Sequence, residues 1–96
     1  MIRHIAIFQF DETKASEAEV MAIKAELEAL VDYIPELKRI EVGININTEE
    51  KQDLVLTADV NDLKDLAIYA KHPKHLEVGV KIRSIANGRT CVDYTI

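Results

Sequence analysis

Residues 2–10 read IRHIAIFQF, and this alternation predicts the β-strand on which the architecture of the chain depends. Successive side chains of a strand point to opposite faces of its sheet. One face carries Ile2, His4, Ala6, Phe8 and Phe10, and the other carries Arg3, Ile5, Ile7 and Gln9. Because isoleucines stand opposite alanine and phenylalanine, neither face suits contact with water. A sheet built on this strand therefore needs a cover on both sides.

A long amphipathic helix is predicted after the polar turn at 11–15. Ser16, with Glu19 three residues later, forms a capping box, which is a common start of a helix. An apolar stripe follows at helical spacing, formed by Val20, Ile23, Leu27, Leu30, Val31 and Ile34. Because the residue before a proline disfavours the helical conformation, the helix is expected to end at Pro35. This helix can cover one face of the sheet.

The rest of the chain adds three strands and a divided helix. The patterns predict strands at 38–47, 53–60 and 90–96, and helical segments at 63–71 and from Pro73 to about Ala86. Asn61 or Asp62 can cap the first of these helical segments. The dipeptide His72-Pro73 separates the two segments, because proline suits the first turn of a new helix. Asn87-Gly88 predicts a left-handed turn that ends the second segment.

The resulting element order, β-α-β-β-α-β, is that of the ferredoxin-like fold. We therefore predict an α+β fold in which a four-stranded antiparallel sheet carries its helices on one face. The length of 96 residues is enough for one domain, which we expect to span residues 1–96.

The other face of the sheet is predicted to be a dimer interface. The third strand is interpreted, like the first, as apolar on both faces, with Leu54 and Leu56 opposite Val55 and Ala58. An uncovered apolar sheet face is more often an interface than an accident, and a second copy related by two-fold symmetry is the simplest cover. We expect an obligate homodimer whose two sheets close into one α/β barrel. The alternative is that scattered exposed isoleucines are harmless.

Charge and cysteine content exclude several classes of partner. The chain has 12 basic and 17 acidic residues and a net charge of −5, which argues against nucleic acid and anionic membrane surfaces. No apolar run is long enough to span a bilayer or to act as a secretory signal. The single cysteine, Cys91, cannot form an internal disulfide. We therefore predict a cytoplasmic location.

Three histidines and a tyrosine form the candidate site. His4 lies on the first strand, and His72 and His75 flank the helix break in YAKHPKH, three and six residues after Tyr69. Taken singly, each has a structural interpretation as a core, capping or amphipathic residue. Taken together, a group that titrates near neutral pH beside a phenol is a plausible acid–base site.

Metal and cofactor sites are less well supported. The pair His72 and His75 has a loosely specific metal-ligand spacing, and a third ligand would have to be His4 or a carboxylate such as Glu77. No glycine-rich phosphate loop or dinucleotide fingerprint is present. A strand cysteine such as Cys91 is more often a small buried hydrophobe than a nucleophile. We predict neither a metal nor a cofactor.

The chain resembles a known family along almost its whole length. The segment Tyr69-x-x-His72-Pro73-x-His75 is the most specific marker. The other markers are His4 followed by Ile5, Phe8 and Phe10, then Ile34-Pro35, Glu41-x-Gly43 and Val92-Asp93-Tyr94. On these residues the chain is similar to the stress-responsive A/B barrel (Dabb) family. The resemblance implies a dimeric α+β barrel with ferredoxin-like subunits, in agreement with the dimer argued from the sheet.

The resemblance also implies roles for four residues. Many members have no assigned activity, but one plant branch consists of polyketide cyclases that close a linear poly-β-ketone by aldol condensation without a cofactor. The tyrosine and the second histidine of the marker segment act in that chemistry, which implies Tyr69 and His75 as catalytic residues here. The opening-strand histidine and the first histidine of the segment line the same cavity, which implies His4 and His72 as ligand-binding residues.

Three functions remain open at this point. The first is a homodimeric A/B barrel protein with a small-molecule cavity and an undetermined activity. Its predicted ligand-binding residues are His4, His72, Ala6 and Phe8. The second is a cofactor-free cyclase or isomerase for an enolisable carbonyl compound, with His75 as the base and Tyr69 as the hydrogen-bond donor. The third is a structural protein whose histidines only support the fold.

Overall fold

The chain forms one antiparallel sheet with its helices on one side. The computed structural model describes residues 1–96. Its elements are β1 (Ile2–Phe10), α1 (Glu17–Glu28), β2 (Arg39–Ile44), β3 (Leu54–Val60), α2 (Leu63–Lys71), α3 (Pro73–Ile85) and β4 (Ala86–Thr95), with a short 3-10 helix at Ala29–Asp32. The strand order is β2-β3-β1-β4, with every neighbouring pair antiparallel. This topology confirms the predicted ferredoxin-like α+β fold. None of the helices has the length and apolar composition needed to cross a bilayer.

The first helix begins as predicted but ends earlier. The Ser16 hydroxyl oxygen accepts a hydrogen bond from the Glu19 amide at 3.1 Å, which caps α1. The helix was expected to reach Pro35, but it gives way to the 3-10 helix after Glu28. The tighter three-residue turn changes which side chains face inward. It leaves Val31 exposed, although the helical stripe predicts that this residue is buried.

The second strand is shorter than predicted. It ends at Ile44 because the next residues form a side-chain-stabilised turn instead of a ladder. The Asn45 side-chain oxygen accepts a hydrogen bond from the Asn47 amide at 2.8 Å, and the Asn45 amide group donates to the Asn47 carbonyl at 2.9 Å. Ile46 lies in this turn with 96% of its surface exposed, so it is not part of the sheet.

The predicted left-handed turn at Asn87-Gly88 is wrong. No residue of the chain has a positive φ, and both of these residues belong to β4. The helix α3 ends at Ile85, whose carbonyl accepts a hydrogen bond from the Asp11 amide at 2.7 Å. Because Ala86 is already extended, the chain passes from helix to strand without a glycine turn.

The helix side of the third strand is apolar throughout and its other face is mostly polar, which corrects part of the dimer argument. Ala58 has the same parity as the two leucines of β3, and it is fully buried beneath the helices. The opposite face of β3 carries Val55, Thr57 and Asp59. The open face of β3 therefore has Val55 as its one apolar residue, whereas β1 carries two isoleucines there.

The sheet face away from the helices, which we call the open face, still carries an apolar patch. Its apolar members are Ile5, Ile7, Val55, Val92 and Tyr94, which lie side by side through the strand register. In a single chain, 55% of the surface of Val92 is exposed to solvent. A contiguous patch of this kind on a sheet is typical of an interface.

An ion pair closes one end of the open face. Arg3 donates two hydrogen bonds to the Asp59 carboxylate, at 2.8 and 2.9 Å, from the directly opposite position in the register. Asp59 is only 4% exposed, and Arg39 lies 3.9 Å from its second oxygen. The hydrogen bonds from Arg3 hold the pKa of the Asp59 carboxyl below its usual value, against the effect of burial.

We expect Asp59→Asn to destabilise the protein by about 2 kcal/mol at neutral pH, because charge-assisted hydrogen bonds to a buried carboxylate are lost. The pKa of Asp59 is lower in the folded state, so the carboxylate stabilises the fold above pH ~4. This contribution is lost as pH falls through the folded pKa. Chemical denaturation of both proteins at neutral and acidic pH measures the difference.

Glu41→Gln is the matched control, because Glu41 pairs with Arg39 on the surface and exposed ion pairs contribute little. We expect this control to change stability by less than about 0.5 kcal/mol. An Asp59→Asn protein as stable as the original at neutral pH would contradict the assigned role of the ion pair.

Candidate functional site

A cavity lies on the helix side of the sheet, between β1 and α3. Its volume is about 330 Å³, which is in the range of small-molecule sites. Its lining residues are His4, Ala6, Phe8, Leu56, His75, Gly79, Ile82, Arg83 and Arg89. The even-numbered residues of β1 reach it because they point toward the helices. On α3, the lining residues recur at helical spacing and so share one side of the helix.

The cavity opens beside β4 because the helices leave this edge strand uncovered. The helix-side residues of β4 are exposed, among them Arg89, Cys91 and Asp93. The corresponding residues of β1 and β3 are buried. A small molecule can therefore approach the interior along β4.

The break between α2 and α3 places a tyrosine against a histidine. His72 is extended (φ −62°, ψ 137°) where α2 ends, and Pro73 occupies the first turn of α3. The Nδ1 atom of His72 accepts a hydrogen bond from the Lys74 amide at 3.1 Å, so His72 caps α3. The chain reverses sharply as a result, and the ring centroids of Tyr69 and His75 lie 4.6 Å apart.

Two buried polar atoms at this contact have no hydrogen-bond partner. They are the Tyr69 hydroxyl and the Nδ1 atom of His75. Tyr69 is 1% exposed, and His75 is half-buried. Buried polar atoms nearly always have a partner in folded proteins, and each exception needs an explanation. His75 lines the cavity and Tyr69 lies directly behind it, so this contact forms part of the cavity wall and its backing.

Burial changes the pKa of both side chains, in opposite directions. Burial is the main cause of the lowered pKa of His75. The charges of His4, Arg89 and Arg83 lower this pKa further, while a contact with the Ala70 backbone opposes the shift. Burial also raises the pKa of Tyr69 well above its usual value. At neutral pH the pair is therefore a neutral imidazole beside a protonated phenol, that is, a base beside a hydrogen-bond donor.

We expect His75 to titrate below the ordinary histidine pKa of 6.5. The unfolded chain then binds this proton more readily than the folded protein, so stability falls as pH drops below 6.5 toward the folded pKa. NMR of the His75 ring across a pH series gives the midpoint, and the same protein in denaturant gives the reference. A midpoint at or above that of the denatured chain would contradict the desolvated environment assigned to His75.

His4 lies at the inner wall and is held by an acidic residue of β4. Its Nδ1 atom lies 2.5 Å from an Asp93 carboxylate oxygen, and the two residues are direct register partners. Because a carboxylate only accepts hydrogen bonds, Nδ1 is the donor and Nε2 remains available. The His4 ring also stands edge-on to Tyr69, with centroids 6.3 Å apart.

Cys91 is exposed, which corrects the expectation of a buried strand cysteine. Its sulfur lies 3.4 and 3.8 Å from the two ring nitrogens of His4, so the thiol rests against the imidazole ring. Burial of the thiol raises the pKa of Cys91, and Arg89 partly opposes this. A thiol with this geometry and acidity is not an activated nucleophile.

One group of side chains has the composition of a metal site. The ligand atoms of His4, Cys91 and Asp93 lie within 4.8 Å of one another. The group does not include His72 or His75, the pair that the sequence spacing suggests. The His4 and Asp93 atoms are hydrogen-bonded to each other, and this contact fixes the orientation of the His4 ring.

The structure brings together most of the predicted site residues. His4, His75, Ala6 and Phe8 line the cavity, and Tyr69 lies behind them against His75. His72 is not part of the cavity wall, because its ring caps α3.

Five lining residues and one partner were not predicted from the sequence. The lining residues are Leu56, Gly79, Ile82, Arg83 and Arg89, and the partner is Asp93. Gly79 and Arg83 follow His75 at intervals of four residues along the predicted helix, so helical spacing would have found them. The two β4 residues required the register between the first and last strands, which the sequence does not specify.

A comparison with protein families matches residues 2–96 to the family described as the stress responsive A/B barrel domain, Dabb. A comparison with curated proteins finds no significant match.

Solved structures with the same fold cover nearly the whole chain. A dimeric protein of unknown function with a ferredoxin-like fold, from Bacteroides fragilis, has 30% identity and a TM-score of 0.88, over 99% of this chain and 95% of its own. A dimeric ferredoxin-like protein of unknown function from Thermobifida fusca has 27% identity and a TM-score of 0.86, over 99% and 90%. A hydroxynitrile lyase from Passiflora edulis has 17% identity and a TM-score of 0.85, over 99% and 92%, and shows the fold alone.

Proposed function

Since the chain belongs to the stress responsive A/B barrel domain family, we propose that its cavity binds a small carbonyl compound and moves a proton at the carbon next to the carbonyl. The single observation that carries the proposal is the contact between the His75 ring, which lines the cavity, and Tyr69, whose buried hydroxyl has no hydrogen-bond partner. The two side chains touch each other and lie beside the cavity. Apart from this pair, Ala6, Phe8 and Leu56 provide an apolar wall for the rest of the ligand.

The chemistry uses a base and an oxyanion donor. The neutral imidazole of His75 takes a proton from the carbon next to the carbonyl, and the C–H electron pair moves into a carbon–carbon double bond as the carbonyl oxygen becomes negative. The Tyr69 hydroxyl donates a hydrogen bond to that oxygen in an environment from which water is largely excluded. The enolate carbon then takes a proton from the imidazolium or attacks a second carbonyl, as a cyclase requires. These steps need no cofactor.

His4 has a supporting role in this proposal. Its Nδ1–H is held by Asp93, and because His4 lines the cavity we expect its Nε2 to offer a second polar contact to the ligand. The raised pKa of Tyr69 supports its role as a donor, because the phenol keeps its proton at neutral pH. The lowered pKa of His75 supports its role as a base, because the imidazole is neutral when the ligand arrives.

We also propose that the protein is a homodimer joined through the open face. The relatives from Bacteroides fragilis and Thermobifida fusca are described as dimeric, and the patch around Ile5, Ile7 and Val92 provides an apolar surface for a second copy. The cavity lies on the opposite side of the sheet, so each protomer keeps its own site.

Composition supports small molecules and a second copy of the chain as partners. A net charge of −5 disfavours binding to nucleic acid or to an anionic membrane surface. The single cysteine is compatible with a reducing compartment, and we propose a cytoplasmic location on that ground.

Hydrogen–deuterium exchange at carbon tests the proposed activity. Phenylacetone is an enolisable aryl ketone whose size suits the cavity, and NMR in D₂O follows the loss of its α-proton signals. We expect the protein to accelerate this loss above the rate given by an equal concentration of free imidazole. Exchange no faster than with free imidazole would overturn the proton-transfer proposal and favour a purely structural role for the histidines.

A further inference from the structure

Two arginines at the mouth of the cavity are not paired with any carboxylate. Arg83 on α3 and Arg89 on β4 both line the cavity, and neither forms an ion pair. The other two arginines of the chain, Arg3 and Arg39, both lie against Asp59. No acidic residue lines the cavity. In a chain with a net charge of −5, this is a local excess of positive charge.

The position of the Arg83 guanidinium is defined by a glycine. A β-carbon added at Gly79 would lie 3.3 Å from the Nη1 atom of Arg83, so the guanidinium folds back along α3 over Gly79. Gly79 stands one turn after His75 on the same side of the helix. The absent side chain therefore leaves space in which Arg83 faces the cavity.

Arg89 approaches the same space from the other side. It occupies the helix side of β4, where it faces Phe8 across the register. It is close enough to Tyr69 and Cys91 to lower the pKa of both, against the effect of burial. Both arginines thus line the same cavity and are exposed, whereas Tyr69 is buried behind His75.

We propose that the natural ligand is a carboxylate-bearing carbonyl compound, whose carboxylate is held by Arg83 and Arg89 while its carbonyl lies at Tyr69 and His75. The carbonyl end of this ligand rests on the proposed function, whereas the carboxylate end rests on the arginines alone. Guanidinium groups match a carboxylate with two parallel hydrogen bonds. The apolar wall between the two ends suits a short hydrocarbon or aryl segment.

The test compares an acid with its uncharged analogue. Isothermal titration calorimetry measures the binding of 4-oxo-4-phenylbutanoate and of its amide, 4-oxo-4-phenylbutanamide, which have nearly the same shape and both carry a ketone. We expect the acid to bind about tenfold more tightly or better, a difference of about 1.4 kcal/mol. Arg83→Gln and Arg89→Gln should each weaken the binding of the acid and leave the affinity for the amide unchanged. Because both arginines are exposed, these variants are expected to fold normally.

Lys81→Gln is the matched control. It removes one positive charge from the same helix, but Lys81 pairs with Glu26 and does not line this cavity. We expect it to leave the affinity for the acid unchanged. Equal affinity for acid and amide, or an equal effect of Lys81→Gln, would overturn the inference, because the preference would then be absent or would reflect net charge.

NMR of the His75 ring separates this inference from the proposed function. If acid and amide bind equally and both shift the ring signal, the carboxylate inference fails and the carbonyl site stands. If the acid binds through the arginines but leaves the ring signal unchanged, the inference about the arginines stands and the proposed function fails. If neither molecule binds at millimolar concentration, both are overturned.

Discussion

Replacement of His75 by alanine is expected to reduce the protein-catalysed exchange of the α-protons of phenylacetone by about 100-fold or more. A positioned general base typically contributes a factor of this size. The loss should appear in the rate and not in the fold, since His75 is only half-buried. NMR in D₂O measures the rate, and circular dichroism checks the fold.

His72→Ala is the control for this experiment, because it removes the same side chain three residues earlier. His72 caps α3 and is not part of the cavity wall. We expect it to cost about 1 kcal/mol of stability and to leave the exchange rate unchanged. Tyr69→Phe should slow exchange about 100-fold while it keeps the ring packing, because the only atom lost is the oxyanion donor. If His72→Ala slowed exchange as much as His75→Ala, the result would contradict the assignment of His75 as the base.

Replacement of Ile7 by aspartate is expected to dissociate the homodimer. Ile7 lies in the middle of the apolar patch on the open face, between Val55 and Thr90 in the register. An unpaired carboxylate buried there would weaken association by about 3–5 kcal/mol, the usual cost of an uncompensated charge. Sedimentation equilibrium at micromolar concentration should change from twice the 10.9 kDa chain mass toward the single chain mass.

Ile46→Asp is the matched control for the dimer. It makes the same change of side chain at a residue that is 96% exposed and lies outside the sheet. We expect Ile46→Asp to remain a dimer. A monomeric wild-type protein, or an Ile7→Asp protein that stays dimeric, would contradict the assignment of the open face as the interface.

Local patterns were enough to predict the element order and the core of the site. Alternation in β1 put Ala6 and Phe8 on the same face as His4, and the structure places all three on the cavity wall. The dipeptide His72-Pro73 predicted the break between the two helical segments, and the structure adds that this break brings Tyr69 against His75.

Long-range features could not be predicted in this way. The contact between His4 and Asp93 depends on the register of the first and last strands, which lie at opposite ends of the chain. The exposure of Cys91 depends on the uncovered edge of β4, which no local pattern encodes. Asn87-Gly88 has the local signature of a left-handed turn, but a hydrogen bond between Asp11 and Ile85 directs the chain straight into the strand.

The two faces of β3 follow from the strict alternation of its side chains. The apolar residues of β3 suggest two apolar faces, but Ala58 lies on the same side as the buried leucines. The open face therefore owes its apolar character to β1 and β4, with Val55 as the contribution of β3, and it is polar where Arg3 and Asp59 pair.

The central claim is that a small molecule binds beside Tyr69 and His75. NMR of the histidine rings during titration with phenylacetone tests it most directly, with Gly79→Leu as a variant whose new side chain fills the cavity. We predict that the His75 ring signals shift with the ligand, that those of His72 do not, and that Gly79→Leu abolishes the shift. Unchanged His75 signals, or equal shifts at His72, would contradict the claim.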